Sequence, residues 1–83
     1  MVSRNVIASD YMNRHDNPFG KLVQTACSFD CGIHLQMDNR KINAKSIMGV
    51  MTFAIQDGSA VTIVADGVDE NSAVEAISDF LTR

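Results

Sequence analysis

The spacing of apolar residues divides the first third of the chain into a strand, a loop and a helix. Residues 2–8 mix β-branched and polar side chains in rough alternation, which is typical of a strand. Residues 9–17 are polar and predict a loop. Pro18 suits the first turn of a helix, where a backbone N–H has no intrahelical partner. The apolar positions of this helix are Phe19, Leu22, Val23, Ala26 and Cys27.

A strict alternation of apolar and polar residues predicts the next strand. Ile33, Leu35 and Met37 fall on one face of it, and polar residues fall on the other. Asp38 and Asn39 are turn residues, so residues 40–44 are expected to return as the second strand of a hairpin.

The second half of the chain predicts a helix, a strand and a final helix. Ser46 precedes an apolar stretch, where a serine side chain caps a helix by accepting from a free backbone amide. Residues 60–65 are rich in β-branched side chains and lie between two Asp-Gly turns, which favours a fourth strand. Asp69 is placed to cap the last helix. The apolar positions of that helix are Ala73, Val74, Ile77, Phe80 and Leu81.

The resulting order, β-α-β-β-α-β-α, predicts an α+β fold with helices on one face of an antiparallel sheet. A chain of 83 residues that is 46% hydrophobic fits one domain over residues 1–83. Ferredoxin-like RNA-binding modules share part of this order, but they display strand aromatics on a basic surface. Here the net charge is −3 and aromatic residues make up 6% of the chain, so we expect no nucleic-acid partner.

Two further observations restrict the function. No apolar run approaches the roughly 20 residues of a membrane helix, and residues 1–10 lack a signal-peptide core, so we expect a cytoplasmic protein without membrane insertion. Cys27 and Cys31 lack a second ligand pair at zinc-site spacing. We therefore expect free thiols, no metal and no cofactor, with a disulfide or a metal site as the alternative.

The segment 47–55 is more apolar than a one-sided helix requires. Seven of its nine residues are apolar, whereas a surface helix needs a stripe of about 100°. We expect Ile47, Met48 and Met51 to form a docking surface for a protein partner, because methionine adapts to varied surfaces. The alternative is that the methionines only fill the core.

His15 is the candidate for chemistry. It lies just before the predicted first helix, where free backbone amides favour an anion. An imidazole with a pKa of about 6.5 is largely neutral at cytoplasmic pH and can accept a phosphoryl group. The alternative is a loop histidine without a role. His34, on the polar side of a predicted strand, is expected to face solvent.

Three stretches of the chain resemble one protein family. They are KLVQTA at 21–26, NAKSIMGVM at 43–51 and VTIVADG at 61–67, and they are similar to HPr, the histidine-containing phosphocarrier of the bacterial sugar phosphotransferase system. The similarity runs over nearly the whole chain. KSIMGVM at 45–51 resembles the regulatory serine region of HPr proteins from low-GC Gram-positive bacteria. The resemblance implies an open-faced β-sandwich, with four antiparallel strands covered on one face by three helices.

The resemblance also implies a phosphoryl acceptor. In the family, phosphoenolpyruvate donates a phosphoryl group through Enzyme I to the histidine that His15 matches, and IIA domains of sugar permeases receive it. The family motif is Gly-x-His-Ala-Arg-Pro, whereas this chain has Asn-Arg-His-Asp-Asn-Pro at 13–18. Asn17 replaces the arginine that neutralises the phosphoryl group, and Asp16 adds a repelling charge, although it also suits the first turn of a helix. Arg14 is a candidate to supply the missing positive charge.

For Ser46 the resemblance implies phosphorylation by HPr kinase/phosphorylase and binding of the product to the catabolite control repressor. An ordinary helix cap is the alternative. We therefore expect a phosphoryl carrier rather than an enzyme with its own substrate pocket: an HPr-like regulatory protein with a weakened His15. The alternatives are a fully active carrier in which Arg14 compensates for Asn17, and a structural module in which neither site is phosphorylated.

Overall fold

The computed structural model describes residues 1–9, 17–53, 55 and 58–82, and the element order is the predicted one. The strands are β1 (Val2–Ile7), β2 (Gly32–Met37), β3 (Arg40–Asn43) and β4 (Ala60–Asp66). The helices are α1 (Pro18–Cys27), α2 (Ile47–Phe53) and α3 (Glu70–Thr82). The α+β prediction is therefore confirmed.

The four strands form one antiparallel sheet in the order β1-β4-β2-β3. The β2–β3 hairpin turns where the sequence predicts it, and Asp38 adopts a positive φ of 56° in the turn. Because side chains alternate along a strand, every second residue of β2 and β4 enters the core. These inward residues are Ile33, Leu35, Val61, Ile63 and Ala65.

The helices supply the other half of the core. Each helix turns an apolar stripe inward. In α1 the predicted stripe is correct except at Cys27, which is exposed. The buried apolar residues of the helices are Leu22, Ala26, Val50, Phe53, Ala73, Val74, Ile77 and Leu81. The outer face of the sheet is polar, and Asn5 accepts a 2.6 Å hydrogen bond there from the Thr62 hydroxyl. His34 lies on this outer face but is half-buried rather than fully exposed.

Asp69 occupies the position immediately before α3, but its side chain does not act as predicted. The Asp69 carbonyl accepts the Ala73 amide at 3.0 Å and so begins the helix. Its carboxylate is directed to the loop of residues 28–31, where it accepts the amides of Asp30 at 2.9 Å and Cys31 at 3.0 Å. The prediction that this side chain caps α3 is therefore wrong, because the carboxylate instead joins α3 to the segment between α1 and β2.

The same hydrogen bonds change two pKa values. The Asp30 amide first, and then the Cys31 thiol, lower the pKa of Asp69 below its ordinary value of 3.8. Burial first, and then the hydrogen bond to Asp69, raise the pKa of the Cys31 thiol. A carboxylate with a lowered pKa stabilises the fold above its unfolded pKa, and this contribution is lost as the pH falls through the folded pKa.

Asp69→Asn is therefore expected to destabilise the protein at pH 7. Its melting temperature should fall by several degrees, because a neutral amide replaces the carboxylate that accepts both backbone amides. The difference from wild type should begin to shrink below a pH of about 4, where the carboxylate of the unfolded chain takes up a proton, and should vanish below the lowered pKa of the folded carboxylate. Thermal melts followed by circular dichroism from pH 7 to pH 2 measure this. Glu75→Gln, which neutralises an exposed carboxylate of α3, is the control and should leave the melting temperature at pH 7 close to the wild-type value.

Candidate functional site

Ser46 caps α2, as predicted. Its Oγ accepts the Gly49 amide at 3.3 Å, and its carbonyl accepts the Val50 amide at 3.0 Å. The Ser46 amide in turn donates to the Asn43 carbonyl at 3.0 Å, which fixes the exit from β3. Ser46 is half-buried, at the start of the helix whose apolar residues the sequence singles out.

The six of those apolar residues that the structure describes divide into two groups. Val50, Phe53 and Ile55 are at most 1% exposed and belong to the core. Ile47, Met48 and Met51 are 42%, 77% and 56% exposed, and together they form what we call the α2 patch. The alternative that the methionines fill the core therefore does not hold for Met48 and Met51. An exposed apolar group of this kind is typical of a protein-binding surface.

The end of α1 lies beside the segment that precedes Ser46. The exposed Cys27 thiol is 4.0 Å from the Lys45 carbonyl oxygen. The Lys45 ammonium donates a 2.8 Å hydrogen bond to the Phe29 carbonyl, and the Lys45 amide donates to Asn43 Oδ1 at 2.9 Å. Lys45 therefore holds the backbone before Ser46 against the C-terminal end of α1.

Charge is distributed unevenly along the chain. Residues 17–53, which include α1 and α2, carry four basic and two acidic residues. Residues 58–82, which include β4 and α3, carry five acidic residues and no basic one. Neither α1 nor α2 contains an acidic residue. The α2 patch therefore lies within the range 17–53, where basic residues outnumber acidic ones, and this favours partners with an acidic binding surface.

Of the predicted phosphoryl site, the structure describes only Asn17. Asn17 is the N-cap of α1, and its Oδ1 accepts the Gly20 amide at 3.3 Å. His15, Arg14 and Asp16 lie outside the described residues. The capping role of Asn17 was not predicted, although asparagine before a proline at the first helical position is a standard helix-start signal.

Within the described residues, no helix is long and apolar enough to cross a membrane. The same part of the chain holds no group of three or more His, Cys, Asp or Glu residues that fits a metal ion. Both cysteines are free thiols, with Cys27 exposed and Cys31 buried.

The four-stranded antiparallel sheet, covered on one face by three helices, places the chain among the open-faced β-sandwiches. The sequence model described as "PTS HPr component phosphorylation site" matches residues 2–83. The chain therefore belongs to the HPr family of the phosphotransferase system.

Individual relatives agree with this assignment. The chain is 37% identical to an HPr-like protein Crh of Halalkalibacterium halodurans, over all of this chain and 99% of the relative. It is also 37% identical to a phosphocarrier protein HPr of Xylella fastidiosa, over 96% and 90% of the two chains. The crystal structure of an HPr from Bacillus anthracis superposes with a TM-score of 0.90 at 36% identity, covering 98% and 96% of the two chains.

Proposed function

We propose that this chain is an HPr-like regulatory phosphocarrier protein of the sugar phosphotransferase system. It docks to protein partners through the α2 patch, Ser46 is its regulatory phosphorylation site, and His15 is a weakened phosphoryl acceptor. The partners in this proposal are Enzyme I, IIA domains, HPr kinase/phosphorylase and the catabolite control repressor, all cytoplasmic. One observation carries the proposal: the exposed α2 patch follows Ser46 directly, in a chain of the HPr family.

The local geometry at Ser46 suits phosphorylation without unfolding. In the kinase, Ser46 Oγ attacks the terminal phosphorus of a nucleoside triphosphate, the bond to the nucleoside diphosphate breaks, and the hydroxyl proton passes to a base of the kinase. The 3.3 Å contact from the Gly49 amide is long, so the hydroxyl gives up little when it turns toward the kinase. A phosphate oxygen can then accept the same amide.

The phosphate changes how the α2 patch docks. It adds a charge of about −1.5 to −2 next to Ile47 and close to Met48 and Met51. Partners that bring acidic groups to this surface are then repelled, and partners that present arginine or lysine are favoured. One modification therefore exchanges one class of partner for another.

His15 is proposed as the weaker of the two sites. Its imidazole would take the phosphoryl group from Enzyme I as an N–P bond forms and the bond to the donor breaks. Asp16 next to it repels the incoming charge, and neutral Asn17 does not compensate that charge. Arg14 is the remaining cation of this segment.

The test is a phosphorylation assay with two donors. The protein is incubated with Enzyme I and phosphoenolpyruvate, or with HPr kinase and a nucleoside triphosphate, and the products are mapped by mass spectrometry. Acid-labile phosphohistidine and acid-stable phosphoserine separate the two sites. We expect full modification of Ser46 and slow, incomplete modification of His15. Rapid, complete transfer to His15 would support the fully active carrier, and modification of neither residue would support the structural module.

Docking through the α2 patch is tested by Met48→Ala. The substitution is expected to weaken binding of the unmodified protein to Enzyme I, and of the phosphoserine protein to the catabolite control repressor, about tenfold, because it truncates the most exposed side chain of the patch. Val68→Ala is the matched control: Val68 is apolar and 93% exposed, but it lies between β4 and α3, within the acidic range 58–82. Isothermal titration calorimetry measures both. Equal affinities for the two variants would show that the α2 patch is not the docking surface.

A further inference from the structure

The loop of residues 28–31, which joins α1 to β2, is held by two charged side chains from distant parts of the chain. Asp69 accepts the amides of Asp30 and Cys31 at 2.9 and 3.0 Å. Lys45 donates to the Phe29 carbonyl at 2.8 Å. One side chain therefore holds backbone donors of the loop and the other holds a backbone acceptor. Cys31, the last residue of the loop, is 2% exposed and belongs to the hydrophobic core.

The lysine that holds this loop is the residue before Ser46. Consecutive Cα atoms are about 3.8 Å apart, and a lysine side chain is long and flexible enough to reach a group on the next residue. Its present acceptor is a neutral carbonyl. A phosphate on Ser46 is a stronger acceptor for an ammonium, because a hydrogen bond between two ionised groups is stronger than a hydrogen bond to a neutral oxygen.

We propose that Lys45 couples the phosphorylation state of Ser46 to the opening of the 28–31 loop. Phosphate on Ser46 draws the Lys45 ammonium away from the Phe29 carbonyl, which loosens the loop and makes Cys31 accessible. This inference rests on the proposed phosphorylation of Ser46 and extends it to a second part of the molecule.

The change of hydrogen-bond acceptor involves only the Lys45 side chain. The Lys45 amide donates to Asn43 Oδ1, and the Ser46 amide donates to the Asn43 carbonyl. The backbone of both residues therefore stays anchored to the end of β3. Asp69 remains as the second anchor of the loop, so the loop opens transiently more often and does not detach. Local opening of this kind changes amide exchange and thiol reactivity without unfolding the domain.

The experiment uses the full chain made by chemical ligation at Cys27, with either serine or phosphoserine at position 46. This route needs no kinase, so failure of a kinase to modify Ser46 would count against the proposed function and leave the coupling testable. Amide exchange at Asp30 and Cys31 is followed by NMR. Thiol labelling is mapped by mass spectrometry, and the Cys31 rate is taken relative to its rate in the same chain unfolded in urea.

Phosphoserine at position 46 is expected to raise both the amide exchange rates and the Cys31 labelling rate about fivefold. Lys45→Met with unmodified serine should raise them by a similar factor, and phosphoserine in the Lys45→Met chain should add little more. Lys41→Met, which removes an exposed lysine of β3, is the control and should leave the rates unchanged.

Three results would overturn the coupling. In the first, phosphoserine leaves exchange and labelling at the wild-type rates while Lys45→Met raises them. In the second, phosphoserine acts equally in the wild-type and Lys45→Met chains, which would mean that its effect does not pass through Lys45. Unchanged rates in unmodified Lys45→Met would show that this lysine does not hold the loop.

Discussion

Gly67→Ala is expected to lower the free energy of unfolding by roughly 3 kcal/mol, at the upper end of the range for overpacked positions. A Cβ atom at Gly67 would lie 2.5 Å from the Cys31 Cβ and 2.7 Å from the Cys31 Cα. Neither atom can rotate away, because both are fixed by the backbone of Cys31, whose amide is bound to Asp69. The backbone of residues 66–68 or of the 28–31 loop must therefore shift.

A loss of this size matters for a small domain. Stabilities of small proteins are about 5–15 kcal/mol in total, so Gly67→Ala should leave a measurable unfolded fraction at moderate urea concentrations. Urea unfolding followed by circular dichroism measures the change.

Gly58→Ala is the matched control. Gly58 also has a positive φ, of 87°, but a Cβ there would meet no atom of the described residues within 4 Å. Backbone strain alone should cost about 1 kcal/mol at this position. If the two variants were equally destabilised, the contact between Gly67 and Cys31 would not be what requires glycine at position 67.

The sequence predicts the fold well because the alternation of apolar residues in the strands and their helical spacing in the helices are both clear. Alternation in β2 and β4 places Leu35 and Ile63 in the core, and helical spacing places Leu22 and Ile77 there. Local patterns of this kind report on which face of an element is buried. They also identify Ser46 as a cap, because capping is an interaction between neighbours in the chain.

Asp69 shows where local reasoning fails. A carboxylate before a helix has a short-range role in most sequences, and this role is what the pattern predicts. In the folded chain, the 28–31 loop brings two unpaired amides next to Asp69, and the carboxylate binds these instead. Long-range contacts such as this one depend on how the elements pack, and a single sequence carries no direct record of that packing.

The sequence predicts the α2 patch only in part. Seven apolar residues in nine indicate that the segment has more apolar side chains than one buried stripe can hold. Which of them remain outside depends on the rotation of α2 against the sheet. Packing buries Val50 and Phe53 and leaves Met48 and Met51 exposed.

The double variant Asp16→Ala/Asn17→Arg is expected to accelerate phosphorylation of His15 by Enzyme I at least tenfold. A phosphoryl group of charge about −1.5 to −2, some 6 Å from a carboxylate, is disfavoured by about 1 kcal/mol in water and by several times more at an effective dielectric constant of 20. Removing the Asp16 charge and adding a cation at position 17 reverses this repulsion. Initial rates with phosphoenolpyruvate as the donor measure the effect.

The structure adds a cost to this variant that the sequence analysis did not foresee. Asn17 Oδ1 caps α1, so arginine at position 17 removes the acceptor of the Gly20 amide and should lower stability by about 1 kcal/mol. Asn17→Ala isolates this cost, because it removes the cap without adding charge; it should melt at a lower temperature and transfer phosphate at the wild-type rate. Asp16→Ala alone keeps the cap and should recover part of the acceleration. If wild type already accepts the phosphoryl group as fast as the double variant, Asp16 and Asn17 do not weaken His15, and the chain is a fully active carrier.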